Sequence, residues 1–213
     1  MGANSISTVI FDLGRVLVNI DFEAFPNALG LLTPEARAPY QRAVAMHAHL
    51  YETGKISTDE FIERLFAVFG GRYTREHLLH AWNEIIREDV PGMLGLIGRV
   101  QDQHATAMLS NTSVMHFEKA ERECSTVRKI TRRFLSFEVG VAKPAPEIYE
   151  HVIRELHTEP ARILFIDDLV ENVEAAQKAG MNGLIFTDIA RLEADLVHWN
   201  ILPEISPNST FSR

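Results

Sequence analysis

The sequence carries a single cysteine, Cys124, so no disulfide can close within the chain, and a reducing compartment is expected. It has no apolar run approaching the roughly 20 residues that span a bilayer. The opening residues, MGANSIST, lack the basic and apolar regions of a secretory leader. They also miss the myristoylation pattern, because Ile6 stands where a hydroxyl is needed. Basic residues are short as well: 21 Lys and Arg face 29 Asp and Glu, a formal net charge of −8. Neutralising nucleic-acid phosphates needs a basic face, and docking on anionic lipid needs a polybasic patch, so neither nucleic acid nor membrane is an expected partner. The triplet NST at Asn208 matches a glycosylation acceptor, which has no use without secretion. No internal repeat or low-complexity run occurs. The tail ILPEISPNSTFSR is polar and proline-bearing, and its end is expected to be poorly ordered. A cytoplasmic protein acting on a small molecule is the expectation, as a monomer or weak homodimer.

What is present is enough for one good-sized core, or for one domain plus a smaller one: 213 residues, 46% of them hydrophobic. Four short apolar, β-favouring runs recur, at Thr8–Phe11, Ala105–Leu109, Ile163–Ile166 and Gly183–Phe186. Each is too uniformly apolar for a half-exposed strand, which suits a parallel sheet covered on both faces. Helical patterns separate them, such as Ile148, Val152, Ile153 and Leu156, and Val173–Ala179 stopping at Gly180. Strand–helix alternation predicts an α/β doubly wound, Rossmann-like core with right-handed crossovers. FLSF, Phe134–Phe137, reads as a further short strand.

Between the first two runs lies a long interruption, 19–95, that reads as almost wholly helical. Ser57 and Glu60 form a capping box, with Ile56 and Phe61 as its hydrophobic staple. Leu65, Phe66 and Phe69 continue that helix. Leu78, Leu79, Trp82, Ile85 and Ile86 give a second one after Thr74. The domain division is therefore 1–18 with 96–213 as core and 19–95 as an inserted all-helical cap. Hinges are expected near Asn19–Asp21 and Val90–Gly92.

Ligands of open parallel sheets bind beyond the carboxyl ends of the strands. There the chain offers Asp12 with Gly14 after the first run, SNTS (Ser110 to Ser113) after the second, and Asp167-Asp168 after Ile163–Ile166. Lys143 precedes Pro144 in GVAKP, at a helix start. Singly, each has a plain structural use. An aspartate after a strand serves a turn, Ser110 reads as a helix cap, the lysine is solvated, and the acidic pair caps the helix near Val170. Together at one rim they suggest chemistry. Adjacent carboxylates crowd negative charge unless a cation neutralises it. Oxygen-only donors suit Mg²⁺, which shares its shell with phosphate. A hydroxyl and an ammonium could then hold phosphoryl oxygens while charge is in transit.

The ordered set FDLGRVLV, LSNTS, GVAKP and FIDDLVEN resembles the four motifs of the haloacid dehalogenase-like hydrolase superfamily, over almost the whole chain. The helical interruption resembles that superfamily's first-position cap. YETGKISTDEF and NID are similar to a bacterial subgroup that includes an α-glucose-1-phosphate phosphatase, and the likeness extends to the phosphatase domain of some epoxide hydrolases. The resemblance implies Asp12 as the nucleophile that becomes an aspartyl-phosphate. It implies Ser110 on a phosphoryl oxygen with Asn111 beside it, and Lys143 neutralising nucleophile and phosphate. It implies Mg²⁺ on Asp12, the Gly14 carbonyl and Asp168, with Asp167 direct or through water, and Asn172 supporting the acidic loop.

The departure is Gly14, where most such phosphatases carry an aspartate that protonates the leaving oxygen. Such a group is worth about 10²–10⁴-fold, so its loss slows catalysis on ordinary esters and spares better leaving groups such as anomeric sugar phosphates. Asp21 is a conceivable stand-in, and Arg15 also departs from the small residue common at its position. A Mg²⁺-dependent phosphatase of a small phosphorylated metabolite, such as a sugar phosphate, is the leading expectation. A non-catalytic phosphate-ligand or partner-binding protein and a metal-free 2-haloacid dehalogenase are the alternatives. His77 and His80 share a helix face without a third ligand, and His47 and His49 point apart.

Overall fold

A computed structural model describes residues 5–204, so the first residues and the tail with Asn208 lie outside the described residues. In chain order the elements are β1 (Thr8–Phe11), β2 (Val18–Ile20), α1 (Ala24–Ala28), α2 (Pro34–Glu52), α3 (Thr58–Val68), α4 (Arg75–Asn83), β3 (Ile86–Asp89), α5 (Met93–Gln101) and β4 (Ala105–Ser110). There follow α6 (Val114–Glu123), α7 (Ser125–Lys129), β5 (Arg132–Leu135), α8 (Ser136–Val139), α9 (Pro146–Leu156), β6 (Ile163–Asp167), α10 (Val170–Lys178), β7 (Asn182–Ile185) and α11 (Ile189–His198).

The five strands of the main sheet run parallel in the order β5-β4-β1-β6-β7. Every residue of β1 and β6 is buried, as their unbroken apolar runs require for strands covered on both faces. Alternate side chains enter opposite layers. Val9 and Phe11 pack with α5, α7 and α11, through Met93, Val127 and Leu192. Ile10 packs with α9 and α10, through Ile148, Val152 and Ala176. FLSF divides: Phe134 and Leu135 end β5, and Ser136 begins α8.

Helices α1–α4 build a separate apolar cluster around Phe61, which stacks on Tyr51 at 4.6 Å and meets the edge of Trp82 at 4.8 Å. Truncating so buried an aromatic typically costs about 3–5 kcal/mol. The predicted cap of α3 is formed, with Ser57 Oγ accepting from the Glu60 amide at 3.2 Å. The helical reading of Ile85 and Ile86 is corrected. Helix α4 ends at Asn83, and Ile86 starts β3, which pairs antiparallel with β2 through Ile20↔Ile86 and Val18↔Asp89. Both crossings between sheet and helices are thus strands of one ribbon. The ladder supplies backbone partners that continued helix would have supplied locally, so tertiary pairing decides the conformation. Among the described residues, no helix is long and apolar enough to cross a membrane.

Candidate active site

The central strand β1 stops at Phe11, and the Asp12 amide donates to the Ile166 carbonyl at 2.8 Å, which fixes Asp12 at the carboxyl edge beside β6. Ser110 ends β4, Asp167 ends β6, and the loop after α8 brings Lys143 to the same edge. The ammonium of Lys143 lies 2.6 Å from Asp12 Oδ1, 2.6 Å from Asp167 Oδ2 and 3.1 Å from the Leu109 carbonyl oxygen. It is therefore not a solvated lysine. Asn111, expected beside Ser110 against substrate, lines the cavity and also clamps the lysine's backbone. Its Nδ2 donates to the Lys143 carbonyl and its Oδ1 accepts from the Lys143 amide, both at 2.8 Å.

Asp167 is fully buried and its oxygens are occupied. They accept from Lys143, from the Leu169 amide at 2.9 Å, and from Asn172 Nδ2 at 3.0 and 3.1 Å. Asn172 thus supports the acidic loop as the resemblance implied. Asp168 is the more open neighbour, with Arg15 at 3.5 Å. The plain structural readings fail at two positions. Ser113, not Ser110, caps α6, and α10 has no side-chain cap from the aspartates. His77 is taken by the Ala28 carbonyl at 3.0 Å.

Burial pushes the Asp12 carboxyl up to about 6, against the pull of the Lys143 ammonium and with repulsion from Asp167 adding to it. Burial also works against the Lys143 ammonium, but the two carboxylates outweigh it and hold that group above the ordinary lysine range. Burial raises Asp168 too, with repulsion from Asp167 in the same direction and Arg15 opposing. One oxygen each from Asp12, Asp167 and Asp168 falls within a 4.8 Å span. Two of the carboxylates share the Lys143 ammonium, the third has only the exposed Arg15 at 3.5 Å, and Asp12 and Asp168 are driven toward protonation. Such an all-oxygen, negatively overloaded cluster fits a divalent cation of the magnesium type.

Gly14 has a local reason. A Cβ placed there would meet Ile20 Cγ1 at 3.2 Å, so the β2 side chain fills the space a larger residue would use. Arg15 adopts a left-handed backbone, φ 61°, and lays its guanidinium over the Phe22 ring at 5.4 Å. Asp21 does not stand in for a missing acid, because its carboxylate is held by Arg87 at 3.1 Å and by the Glu23 amide at 3.0 Å.

Above Asp12 opens a cavity of about 770 Å³, roofed by α1, α2 and α4. Its walls include Phe25, Leu31, Val44, Phe69, Trp82 and Ile85. The inner end of α2 is tied to the catalytic edge. Ser136 Oγ donates to the Glu52 carbonyl at 2.5 Å and accepts from the Thr112 amide at 3.0 Å, and Tyr51 Oη accepts from the Met115 amide at 3.2 Å. At Gly54, φ 65°, a Cβ would lie 2.2 Å from the Phe137 carbonyl oxygen, so only glycine lets this turn rest on the core. Glu52 lines the cavity and was not singled out in the sequence, where its only signal is its place in YETGKIS.

A curated relative, the D-ribitol-5-phosphate phosphatase of Bacteroides thetaiotaomicron, is 30% identical over 82% of this chain and 89% of its own length. A sesquiterpene phosphatase of Aspergillus oryzae is 49% identical over a shorter stretch, 26% of this chain and 28% of that protein. A haloacid-dehalogenase-family enzyme of Bacteroides thetaiotaomicron shares the fold at a TM-score of 0.79 with 24% identity, covering 86% of this chain and 95% of that one. That enzyme has also been crystallised with magnesium and inorganic phosphate. The family model for haloacid dehalogenase-like hydrolases matches residues 6–180. The chain belongs to the haloacid dehalogenase-like hydrolases.

Proposed function

We propose that the protein is a Mg²⁺-dependent phosphatase that hydrolyses a small phosphorylated metabolite through an aspartyl-phosphate on Asp12. The observation that carries this is the Asp12–Lys143–Asp167 bridge with Asp168 beside it, at the carboxyl edge of a parallel sheet. Lys143 holds one oxygen of Asp12 and leaves the other for in-line attack on phosphorus. Ser110 and the same ammonium would take phosphoryl oxygens, while Asp167, Asn172 and Asn111 keep the ammonium in place. Asp12, Asp168 and the Gly14 carbonyl would hold the cation, and Asp167, its oxygens already used, would act through water. A bound dication neutralises charge among the carboxylates and on the phosphate, letting two anions approach.

We take the helical insertion, 19–95, as a lid that keeps bulk water from Asp12, with the β2–β3 ribbon as its stem. The apolar stretch of the cavity wall, Phe25, Val44 and Trp82, favours a substrate whose body is largely apolar, while Tyr40, Gln41 and His49 leave only one side of the cavity able to meet hydroxyls. Both relatives named above act on phosphate esters, one of a polyol and one of a sesquiterpene. The metal-free dehalogenase alternative leaves three carboxylates to Lys143 and the exposed Arg15 alone and is disfavoured for that reason. Phosphate release should be measured over polyol, sugar and prenyl monophosphates, with and without Mg²⁺. Mg²⁺-dependent turnover that Asp12→Asn removes, highest on the prenyl esters, is the expected result. No turnover on any ester would leave the non-catalytic reading in its place.

A further inference from the structure

An alkoxide is a poor leaving group near neutrality, so expelling an ordinary alcohol from phosphorus calls for a proton at the bridging oxygen. That oxygen must lie on the cavity side of the phosphorus, because Asp12 attacks from the sheet side. Gly14 offers no side chain, and Lys143 is buried and bonded to two carboxylates and a carbonyl. The donor must therefore line the cavity. Among the lining groups, Glu23 is bound by Arg37. His116 Nε2 meets the Trp82 carbonyl at 2.9 Å, and burial holds its pKa down at about 4. The exposed His49 lies one turn farther along α2 from the Ser110–Thr112 loop.

We propose that Glu52 is the acid–base residue of this site, protonating the leaving oxygen and then activating the hydrolytic water. The inference rests on the phosphatase reading above. Its geometry rests on the anchoring of the Glu52 backbone to Ser136, and through Ser136 to Thr112, two residues from Ser110. The carboxyl lines the same cavity as Asp12 and has no hydrogen-bond partner among the described residues. Burial pushes it up to about 7, so near neutrality both the acid and its conjugate base are populated.

The steps balance. As the Asp12 oxygen bonds to phosphorus, the ester P–O bond breaks, its electron pair stays on oxygen, and the Glu52 proton makes the alcohol neutral. Water then attacks the aspartyl-phosphate, its proton passes to the Glu52 carboxylate, and Asp12 leaves as carboxylate. The net change is ester and water to alcohol and phosphate.

The test is a series of monophosphates whose leaving groups run from nitrophenol to simple alkyl alcohols, assayed with Mg²⁺ on wild type and Glu52→Gln. The ratio kcat/KM reports only the attack step, so it isolates the acid role. In the variant, kcat/KM on alkyl esters should fall by about 10²–10⁴-fold, and on nitrophenyl phosphate by less than about tenfold, because nitrophenolate leaves without a proton. A uniform fall across the series would mark a packing role and overturn the proposal, as would no fall at all. Asp12→Asn is run beside it: turnover that survives that change overturns the phosphatase reading itself, and this proposal with it.

Discussion

Replacing Glu52 by Gln should stabilise the fold at alkaline pH and leave it unchanged at acid pH. Burial raises the carboxyl from 4.5 to about 7, so the folded state binds a proton more tightly than the unfolded chain does. A raised folded pKa contributes stability that is fully present below the unfolded value and is lost as pH rises through the folded one. The window is therefore about pH 4.5 to 7. Above it, wild type carries a half-buried carboxylate with no ionic partner among the described residues. The gap corresponds to about 3 kcal/mol as an upper limit, reduced by whatever water in the open cavity solvates the ion. Gln has the same shape and no charge to bury. In a chain of this length each kcal/mol moves Tm by about 2–4 °C. Glu52→Gln should then melt up to about 6–12 °C above wild type at pH 8 and within about 1 °C of it at pH 4. Thermal unfolding of both proteins without Mg²⁺, from pH 4 to 8, reads this directly. A variant that is equally stable or weaker at pH 8, or a gain that persists at pH 4, would show that burial does not perturb this carboxyl.

Asp168→Ala should weaken Mg²⁺ binding by more than about tenfold in calorimetric titration, given the cost of disturbing a metal's immediate support; Asp195→Ala, whose carboxylate pairs with Arg191 on the surface, should not. Lys143→Met removes the cation that bridges two buried carboxylates and should cost about 3–5 kcal/mol in urea unfolding without Mg²⁺, with a smaller loss once Mg²⁺ is added. Gly14→Asp should lower stability by about 1–3 kcal/mol because its side chain must push against Ile20, and the double variant with Ile20→Ala should show a favourable coupling of about 0.5 kcal/mol or more. Strict additivity in that cycle would mean that Ile20 does not fill the space.

The strands that carry the site were legible because burial on both faces leaves no polar alternation: β1 and β6 show it without a break. Asp12, Ser110, Asp167 and Asp168 followed from that, since a side chain at a strand's end has its place set by the sheet, whereas Lys143, in the loop after α8, was legible from GVAKP. The ribbon was not legible. Ile85 and Ile86 satisfy helix spacing from Trp82 as readily as they satisfy a strand, and only the partner strand β2, 66 residues earlier at Ile20, decides between them. The clamp that Asn111 places on the Lys143 backbone was hidden for a similar reason, because its amide matches a backbone 32 residues away. Glu52 was hidden by its helix. The face of α2 toward the cavity mixes Tyr40 and Val44 with Gln41, Ala45, Ala48, His49 and Glu52, a stripe too polar and small to read as covered, and nothing local shows that a cavity lies beneath it.

Placing the acid on α2 instead of beside the nucleophile has a kinetic consequence. The inner end of α2 grips the core through two hydrogen bonds, Met115 amide to Tyr51 Oη and Ser136 Oγ to the Glu52 carbonyl, from adjacent residues of one turn. Each is worth about 0.5–1.5 kcal/mol net, so lifting this turn costs only a few kcal/mol, within reach of microsecond to millisecond motion. Under the lid proposal, lifting it would open the cavity and withdraw Glu52 in one movement. Water entering the open site would then find an aspartyl-phosphate with no base to activate it, and a substrate in the open site would find no acid. An aspartate at position 14 would stay beside Asp12 whether the lid was open or shut. If the insertion is a lid and Glu52 the acid, Gly14 would tie proton transfer to closure over a substrate body that fits beneath Val44 and Trp82. Selection by the cavity walls is thereby expressed in the chemical step as well as in binding.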